Sequence, residues 1–454
     1  MKTDKYFGTD GFRGRAGVCL TAEHAYKTGR FLGLRFGRVN GSENACAGGR
    51  CRVVIGKDTR RSSYMLEYSL VAGLTSAGAD AYIMHVTTTA SVSYITRTDG
   101  FDCGIMISAS HNPFYDNGIK LIGPGGEKLD DDIIAELEGY LDGVLPEGFE
   151  ERAVSGADIG RSVDYVSGRN RYIGHLISLS VCSFKGFKVG LDCANGSAWQ
   201  IAKSVFDALG ARTYLIGGEP DGLNINSSGS TKPAALCELV KREGLDAGFA
   251  FDGDADRCIA VDESGGVVDG DGELYILSNR LKELGEMNGA GVVCTVLSNS
   301  ALISSLAAEG IKSAVTMVGD RFVYKKMCKT GAALGGEKSG HIIISKYGAS
   351  GDGLVTAIKL LEAAAEHGAT LSRLLRGYEP LPQLERSVPV RDREAAFCKE
   401  LLLFCDGVSA EENCARIVVR PSGTEPVIRL MAEGLSREAC GRCLERIERY
   451  IRDM

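Results

Sequence analysis

The chain has 454 residues, of which 44% are apolar and 24% charged, and its 52 basic against 59 acidic side chains give a formal net charge of −7. This length and composition are typical of a globular protein with several domains. The acidic balance argues against a surface for nucleic acid or anionic lipid, so an anionic ligand must be held by local cations or backbone N–H groups.

The N-terminal segment, MKTDKY, lacks the apolar stretch of a signal peptide, and no segment approaches the roughly 18 apolar residues of a membrane span. The 15 cysteines are too dilute over this length for a disulfide scaffold. We therefore expect a cytoplasmic protein with reduced thiols and no membrane partner.

Three segments share one pattern, in which a short apolar run leads through a polar turn into a helical periodicity. They are residues 52–60, 188–196 and 291–299, with helices expected to begin near Ser62, Ala198 and Ser300. Apolar strands that alternate with helices predict parallel sheets covered on both faces. The sequence therefore predicts three related α/β units.

The first loop with chemical potential lies in residues 104–120, GIMISASHNPFYDNGIK, where a predicted strand ends at Ile107. Ser110 stands beside His111 and ahead of Lys120, which makes it a candidate nucleophile or phosphoryl carrier. An ordinary loop after a strand explains the same residues equally well. Adjacency of a serine and a histidine in sequence does not make their side chains face each other.

The second loop, FAFDGDADRCI at 249–259, places Asp252, Asp254 and Asp256 directly after a strand. Carboxylates this close repel one another unless a cation neutralises them, and hard oxygen ligands favour Mg²⁺ or Ca²⁺. The EF-hand pattern fails because Arg257 occupies its glycine position and 258–261 reads as a strand. We favour a Mg²⁺ site over a solvated acidic turn, with Arg257 as a cation beside the metal.

The third loop is LGGEKSGH at 334–341. Glu337 and Ser339 offer an acceptor and a donor for sugar hydroxyls, and three glycines would let the backbone approach a ligand. The alternative interpretation is a plain glycine-rich connector.

Prolines 380, 382 and 389 cluster in residues 378–390 and predict a linker before a small α+β domain. In that domain we expect a helix over 394–404, a strand at 427–431 and a last helix carrying Cys440 and Cys443. Both cysteines fall on the apolar stripe of that helix, which favours core positions over redox chemistry.

The fourth loop, RPSGTEPVIR at 420–429, joins the two strands of this domain. Its hydroxyls and N–H groups can form an anion cradle between two arginines. The residues of this candidate phosphate site are Arg420, Ser422, Gly423, Thr424 and Arg429. A hairpin turn with incidental arginines is the alternative.

These four loops, with YFGTDGFRGR at 6–15 and VDGD at 268–271, resemble the α-D-phosphohexomutase superfamily over nearly the whole chain. The resemblance implies three related α/β domains with mixed or parallel sheets and a smaller C-terminal α+β domain around a central cleft. The implied domains span 1–155 with the phosphoserine loop, 156–256 with the metal loop, 257–374 with the sugar loop and 375–454 with the phosphate loop.

The resemblance also implies a role for each matching residue. Ser110 would carry the phosphoryl group and, with the three aspartates, hold Mg²⁺. Glu337 and Ser339 would bind the sugar, and the fourth loop would hold the phosphate that is not reacting. The matching positions around the phosphoserine, which would stabilise its charge or assist proton transfer, are Arg13, Lys120, Arg257 and His341.

Within the superfamily the motifs are most similar to enzymes of amino-sugar metabolism. The expected activity interconverts glucosamine 6-phosphate and glucosamine 1-phosphate, with a glucosamine or glucose 1,6-bisphosphate as primer and intermediate, and supplies precursors of UDP-N-acetylglucosamine and the cell wall. A hexosamine phosphate is the expected partner, and a homodimer is left open. Mutases acting on mannose or glucose phosphates, a Mg²⁺-dependent phosphatase and a silent sensor are the alternatives.

Three departures from the family pattern bear on the sugar rather than on the reaction. Lys338 stands where related enzymes often have an uncharged residue, threonines 87–89 stand where prolines are frequent, and Ala255 replaces a common glycine. The proline-rich linker would also let the fourth domain move while a bisphosphate turns around, and identical domain orientations with and without ligand would count against that hypothesis.

Overall fold

The computed structural model describes residues 6–8, 10–37, 50–146, 154–392, 396–412, 414–422 and 426–454. Four sheets follow one another along the chain. In these ranges no helix combines the length and apolar character needed to cross a membrane. The cysteines in the same ranges are free thiols, as predicted.

The first sheet is built from residues 7–164. Its strands are β1 (Phe7–Gly8), β2 (Gly11–Arg15), β3 (Arg52–Lys57), β4 (Asp80–Val86), β5 (Cys103–Ile107), β6 (Asp116–Ile122) and β7 (Ser162–Asp164). Its helices are α1 (Ala22–Phe36), α2 (Arg61–Ser76), α3 (Thr89–Thr98) and α4 (Asp131–Leu141). The strand order is β1-β2-β6-β5-β3-β4-β7, with β5, β3, β4 and β7 parallel.

The second and third sheets repeat this arrangement with fewer strands. The second contains α5 (Val166–Leu179), β8 (Lys188–Asp192), α6 (Trp199–Ala208), β9 (Arg212–Ile216), α7 (Ala234–Glu243), β10 (Ala247–Phe251), β11 (Cys258–Val261) and β12 (Val267–Val268). The third contains α8 (Gly270–Glu283), β13 (Val292–Thr295), α9 (Ser300–Ala308), β14 (Ser313–Thr316), α10 (Asp320–Thr330), β15 (Leu334–Gly336), β16 (Ile342–Ile344), α11 (Gly353–His367) and α12 (Leu371–Leu374).

A common strand order relates the three sheets. It reads β6-β5-β3-β4 in the first, β11-β10-β8-β9 in the second and β16-β15-β13-β14 in the third. In each, a parallel core ends in an antiparallel pair. The turns of these pairs contain Ser110, the three aspartates and Glu337, so the first three motif loops occupy equivalent places in three related α/β units. The predicted repetition is confirmed.

The predicted strand-to-helix transitions lie close to the observed ones, because helices begin at Arg61, Trp199 and Ser300. The domain boundary expected between residues 256 and 257 falls between β10 and β11, which are paired over four residues. Since β12 then pairs with β11, the second sheet continues to Val268, and we place the boundary after it.

The last sheet is antiparallel and contains β17 (Gln383–Pro389), β18 (Cys414–Pro421) and β19 (Val427–Gly434) in the order β17-β19-β18. Its helices are α13 (Lys399–Glu411) and α14 (Arg437–Asp453). The helix predicted at 394–404 begins later and extends further, because the apolar stripe of Leu401, Cys405 and Val408 packs on the sheet. Cys440 and Cys443 of α14 are buried in the core, as predicted.

The hydrophobic core is divided unevenly between the domains. One continuous cluster joins the second and third sheets, for example from Phe249 to Leu334 and Leu360. The last domain has its own cluster, which includes Val388 and Leu430. Domains 2 and 3 therefore share a core, whereas domain 4 has a separate one.

A buried ion pair stabilises the first domain. Lys57 at the end of β3 is 1% exposed and contacts the carboxylate of Glu67 in α2, which is 2% exposed, while its Nζ lies 3.7 Å from the ring centroid of Tyr64. Removing one partner leaves the other charge buried. We expect Lys57→Met to lower the free energy of unfolding of this domain by about 3–5 kcal/mol in a urea titration.

Two comparisons test that explanation. Lys57→Met combined with Glu67→Leu should recover most of the loss, because no buried charge remains. Lys203→Met, which removes an exposed ion pair with Asp207, should change the same quantity by less than about 1 kcal/mol. A double variant as unstable as the single one would contradict the role of the pair.

Candidate active site

Ser110 lies in the turn between β5 and β6 and is completely buried. Its backbone has φ of +50°, a left-handed conformation that is uncommon for a residue with a side chain. Its N–H donates to Ser108 Oγ (2.9 Å), and its hydroxyl donates to Asp252 Oδ2 (2.5 Å). The turn therefore directs Ser110 Oγ at the aspartates of the second domain.

His111 lies beside the serine but is poorly suited to be its base. Nδ1 of His111 is 3.4 Å from Ser110 Oγ. Burial, and then the nearby guanidinium groups of Arg257 and Arg13, lower the pKa of His111 to about 3. The ring is neutral and too weak a base to hold a proton near neutral pH.

The three aspartates fill the turn between β10 and β11, and all are buried. One oxygen atom from each lies within 4.8 Å of the others. The turn includes Ala255 at φ of +55°, so the alanine adopts the backbone conformation that a glycine would adopt more easily. Burial, and then the neighbouring Asp256 and Asp254, raise the pKa of Asp252 to about 7.

A divalent cation fits this cluster. Asp254 Oδ1 and Asp256 Oδ1 are buried without a hydrogen-bond partner, which is unfavourable for a carboxylate unless a cation binds there. The donors are all carboxylate oxygens, the ligand type that Mg²⁺ and Ca²⁺ prefer. The cluster can therefore hold a hard cation next to the hydroxyl of Ser110.

Lys120, on β6, balances part of this negative charge. Its Nζ donates to Asp254 Oδ2 (2.8 Å) and Asp256 Oδ2 (3.0 Å) and lies 3.4 Å from Asp10 Oδ2. Burial lowers the pKa of this ammonium, but the three carboxylates outweigh it and raise the pKa well above its usual value. Lys120 is therefore a permanent cation at the site.

Two arginines complete the cationic side of the cluster. Arg13, on β2, is paired with Asp10, and Arg257 follows the metal loop with Nε 3.9 Å from Asp256 Oδ1. The N–H of Arg257 also donates to Asp252 Oδ1 (3.3 Å), and its buried Nε has no hydrogen-bond partner. Arg257 therefore retains a donor for a further anion.

His341 brings the third sheet to the same cluster. Its Nδ1 is 3.7 Å from Asp256 Oδ1 and its Nε2 is 3.9 Å from Asp320 Oδ2. Burial lowers the pKa of His341, but Asp256 and Asp320 outweigh it and raise the pKa to about 9. The N–H of Gly351 nevertheless donates to Nε2 (3.1 Å), which favours a neutral ring with its proton on Nδ1.

The sugar loop follows β15. Glu337 Oε1 accepts from the N–H of Gly319 (2.8 Å), and Ser339 is half-buried. The predicted reason for its glycines is wrong at Gly340, where φ is +84° and a Cβ atom would come within 1.8 Å of Cys258 O. That glycine lets the loop pack against β11 rather than against a ligand. Lys338 contacts Gln383 of the last domain, so its charge is directed away from the loop.

Arg420 and Arg429 stand directly opposite each other on β18 and β19. Burial, and then the neighbouring Arg429, lower the pKa of Arg420, while the carboxylates of Glu385 and Glu337 act in the opposite sense. Like charges on facing positions repel, and an anion between them would relieve that repulsion. Ser422 is buried beside them, with its N–H donating to Val427 O (3.0 Å); Gly423 and Thr424 lie outside the described residues.

The structure thus brings Ser110, the aspartates, Arg13, Lys120, Arg257 and His341 into one network, and Glu337 lies within electrostatic reach of Arg420. The sequence interpretation missed Thr89, whose hydroxyl donates to Asp254 Oδ2 (2.5 Å), and Asp10, which contacts Lys120 and Arg13. Asp10 belongs to the FGTDG motif and Thr89 to the unusual threonine run, so both positions carried a signal.

Family models match the chain in four consecutive pieces. They describe the phosphoglucomutase/phosphomannomutase α/β/α domains I, II and III at residues 4–144, 170–266 and 269–381, and the C-terminal domain at 380–449. The match covers all four motif loops.

Similar proteins include a phosphoglucosamine mutase of Lachnospira eligens, 53% identical over 446 residues that cover 98% of this chain and 97% of that one. The phosphoglucosamine mutase of Bacillus subtilis is 45% identical and covers 99% and 98%. A solved phosphoglucomutase/phosphomannomutase family protein from Burkholderia thailandensis has a TM-score of 0.77 at 24% identity, covering 100% and 98%. Aspergillus fumigatus N-acetylphosphoglucosamine mutase, solved with GlcNAc-6P and magnesium, has a TM-score of 0.70 at 17% identity, covering 99% and 95%.

Proposed function

Because this chain belongs to the α-D-phosphohexomutase superfamily, among its phosphoglucosamine mutases, we propose that it interconverts glucosamine 6-phosphate and glucosamine 1-phosphate. One observation carries the proposal. The hydroxyl of Ser110 is held at the centre of a buried network of three carboxylates and four basic side chains from three equivalent turns. Such a network suits transfer of a phosphoryl group to and from that hydroxyl.

In the proposed reaction, phosphorylated Ser110 donates its phosphoryl group to a free hydroxyl of the sugar phosphate. The P–O bond to Ser110 Oγ breaks, a P–O bond to the sugar oxygen forms, and the proton of that sugar hydroxyl passes to Ser110 Oγ. The product is a bisphosphate, which turns around and returns its other phosphoryl group to Ser110 in the reverse exchange. A glucosamine or glucose 1,6-bisphosphate would phosphorylate Ser110 at the start.

The residues have distinct parts in this scheme. Lys120, Arg13 and Arg257 stabilise negative charge on the transferring group, and Asp252 Oδ2 accepts a hydrogen bond from the Ser110 hydroxyl. Asp252, Asp254 and Asp256, with an oxygen of phosphorylated Ser110, would hold Mg²⁺, which supplies charge neutralisation for the transferring phosphoryl group. Glu337, Ser339 and His341 face the sugar side, with His341 available for proton transfer.

The phosphate that is not reacting is assigned to the last domain. Arg420, Ser422, Gly423, Thr424 and Arg429 form the proposed cradle. Because the two ends of the sugar must alternate, this cradle has to accept either phosphate of the bisphosphate. A cytoplasmic location and a homodimer stay predictions, and size-exclusion chromatography with light scattering would test the second.

Arg420→Gln tests the cradle. Loss of charge-assisted hydrogen bonds to a phosphate should lower kcat/KM by about 10- to 100-fold, since such bonds contribute about 1.5–3 kcal/mol. Steady-state kinetics with glucosamine 6-phosphate measure the change. Arg437→Gln, an exposed arginine of the same domain, is the control and should leave kcat/KM nearly unchanged. Equal effects of the two substitutions would reject the cradle.

Substrate competition tests the proposed activity. The enzyme, primed with a sugar bisphosphate, should convert glucosamine 6-phosphate with a higher kcat/KM than the 6-phosphates of glucose and mannose. Conversion is measured as formation of the 1-phosphate, together with inorganic phosphate release. A preference for glucose or mannose would assign the chain to the corresponding mutase, and stoichiometric release of inorganic phosphate would indicate a phosphatase.

A further inference from the structure

The carbonyl groups in the Ser110 turn are held by two side chains from different domains. Arg60 of the first domain and Asn226 of the second each donate to the carbonyl oxygens of both Ser110 and Asn112. We propose that Arg60 and Asn226 are positioning residues that keep Ser110 in its left-handed conformation, with Oγ directed at the aspartates. The inference rests on the proposed function, in which Ser110 carries the phosphoryl group.

Arg60 immediately precedes α2 and is completely buried. Its Nη2 lies 3.1 Å from Ser110 O and 2.6 Å from Asn112 O. Its Nη1 is paired with the carboxylate of Asp58, which also accepts from Ser63 Oγ (2.8 Å). Because that carboxylate balances the guanidinium next to it, Arg60 supplies a rigid fork of donors rather than net charge.

Asn226 reaches the same two oxygens from the loop before α7. Its Nδ2 lies 2.8 Å from Ser110 O and 2.9 Å from Asn112 O, and the residue is buried. Its own backbone has φ of +60°, a conformation that asparagine adopts more readily than most residues with a side chain. The position therefore combines a left-handed backbone with a side-chain amide donor.

Close packing by the metal loop leaves the turn little room to move. A Cβ atom on Gly253 would lie 2.6 Å from Ser110 O and 3.2 Å from Asn226 Nδ2. Only a glycine allows the metal loop to approach the carbonyl and its donor so closely. The position of Ser110 is thus defined jointly by both domains.

The physical requirement follows from the conformation of the serine. A left-handed residue with a side chain persists only where its surroundings impose that conformation. The inward-facing carbonyls also need donors, because a buried oxygen without one is unfavourable. If a donor is lost, the turn can relax and move Oγ, and a displacement of about 1 Å of a reacting group reduces turnover by about 100-fold.

Asn226→Gly tests the inference, with Asn195→Gly as its matched control. Glycine tolerates both left-handed backbones, and the Asn195 amide donates only within the second domain, to Asn224 O and Ser227 Oγ. We expect Asn226→Gly to lower kcat by about 10- to 100-fold with KM changed less than about threefold, because alignment rather than substrate binding is lost. Asn195→Gly should keep kcat within about twofold.

Two further variants and the thermal midpoints separate positioning from stability. Asn226→Asp keeps the shape but removes the donors, and Arg60→Lys keeps the charge beside Asp58 but removes the fork. Each should lower kcat at nearly constant KM, whatever its thermal midpoint. Equal kcat values for the Asn226 and Asn195 variants, or a rise in KM without a loss of kcat, would overturn the positioning role.

A single-turnover experiment distinguishes this inference from the proposed function. Enzyme carrying radiolabelled phosphate is mixed with glucosamine 6-phosphate, and transfer of the label to the sugar is followed. If the wild type and Asn195→Gly do not transfer label from Ser110, the proposed function fails. If they transfer it and Asn226→Gly does so at the same rate, only the positioning role is overturned.

Discussion

Replacement of Ser110 by alanine is expected to reduce turnover by at least about 1,000-fold, because the only atom removed is the oxygen that carries the phosphoryl group. The fold should be retained. Alanine meets the same backbone strain at φ of +50°, and the one hydrogen bond lost is that to Asp252. Bisphosphate-primed kinetics measure turnover, and calorimetric titration with glucosamine 6-phosphate checks that binding remains.

Ser69→Ala is a suitable control for this experiment. Ser69 belongs to α2 of the same domain, and its hydroxyl donates to Met65 O at an exposed position. It should leave turnover and stability nearly unchanged. Turnover of the Ser110 variant near that of the control would reject the phosphoserine role, even if sugar phosphate binding were normal.

Asp254→Asn is expected to have the second largest effect. Asp254 accepts from Lys120 and Thr89 through Oδ2, and its Oδ1 is buried without a hydrogen-bond partner. The substitution removes one charge from the cation site and one from the environment of the buried ammonium. We expect turnover to fall by about 100-fold or more and the Mg²⁺ midpoint to rise by at least about tenfold.

A Mg²⁺ titration of enzyme that has been stripped with a chelator measures both quantities. Activity should vanish on chelation and return with Mg²⁺ in the wild type. Glu238→Gln removes one negative charge from an exposed position of the same domain and serves as the control. An unaltered Mg²⁺ titration in the Asp254 variant would show that the acidic turn is merely structural.

Local patterns predicted the elements of the fold well. The strand predicted at 258–261 coincides with β11, and three helix starts lie within one residue of expectation. These features depend on short-range hydrophobic periodicity and turn residues. The shared strand order was not predictable in detail, because the pairing of β5 with β6, β10 with β11 and β15 with β16 is set by tertiary packing. The same reason explains the misplaced boundary at residue 256.

The candidate site was predicted only where its residues lie in recognisable loops. Ser110 and the aspartates were identified because their motifs concentrate chemistry within a few positions. Arg60 and Asn226 were missed, since each supports Ser110 from a distant part of the chain, Asn226 from 116 residues away. Long-range hydrogen bonds of this kind leave no spacing pattern in one sequence. The glycines were assigned to ligand approach, whereas Gly340 serves packing against β11.

The separate core of the last domain has a consequence for how such chains can be recombined. Its apolar contacts lie within residues 388–451, whereas its links to the third domain include polar contacts of Gln383 with Lys338, of Glu433 with Ser300 and of Arg416 with Ser298 O. Substitutions inside that core therefore need no compensating change in the other three domains. The last domain of a relative could be grafted onto this chain if these polar partners were kept, which would make the phosphate cradle an exchangeable module of the enzyme.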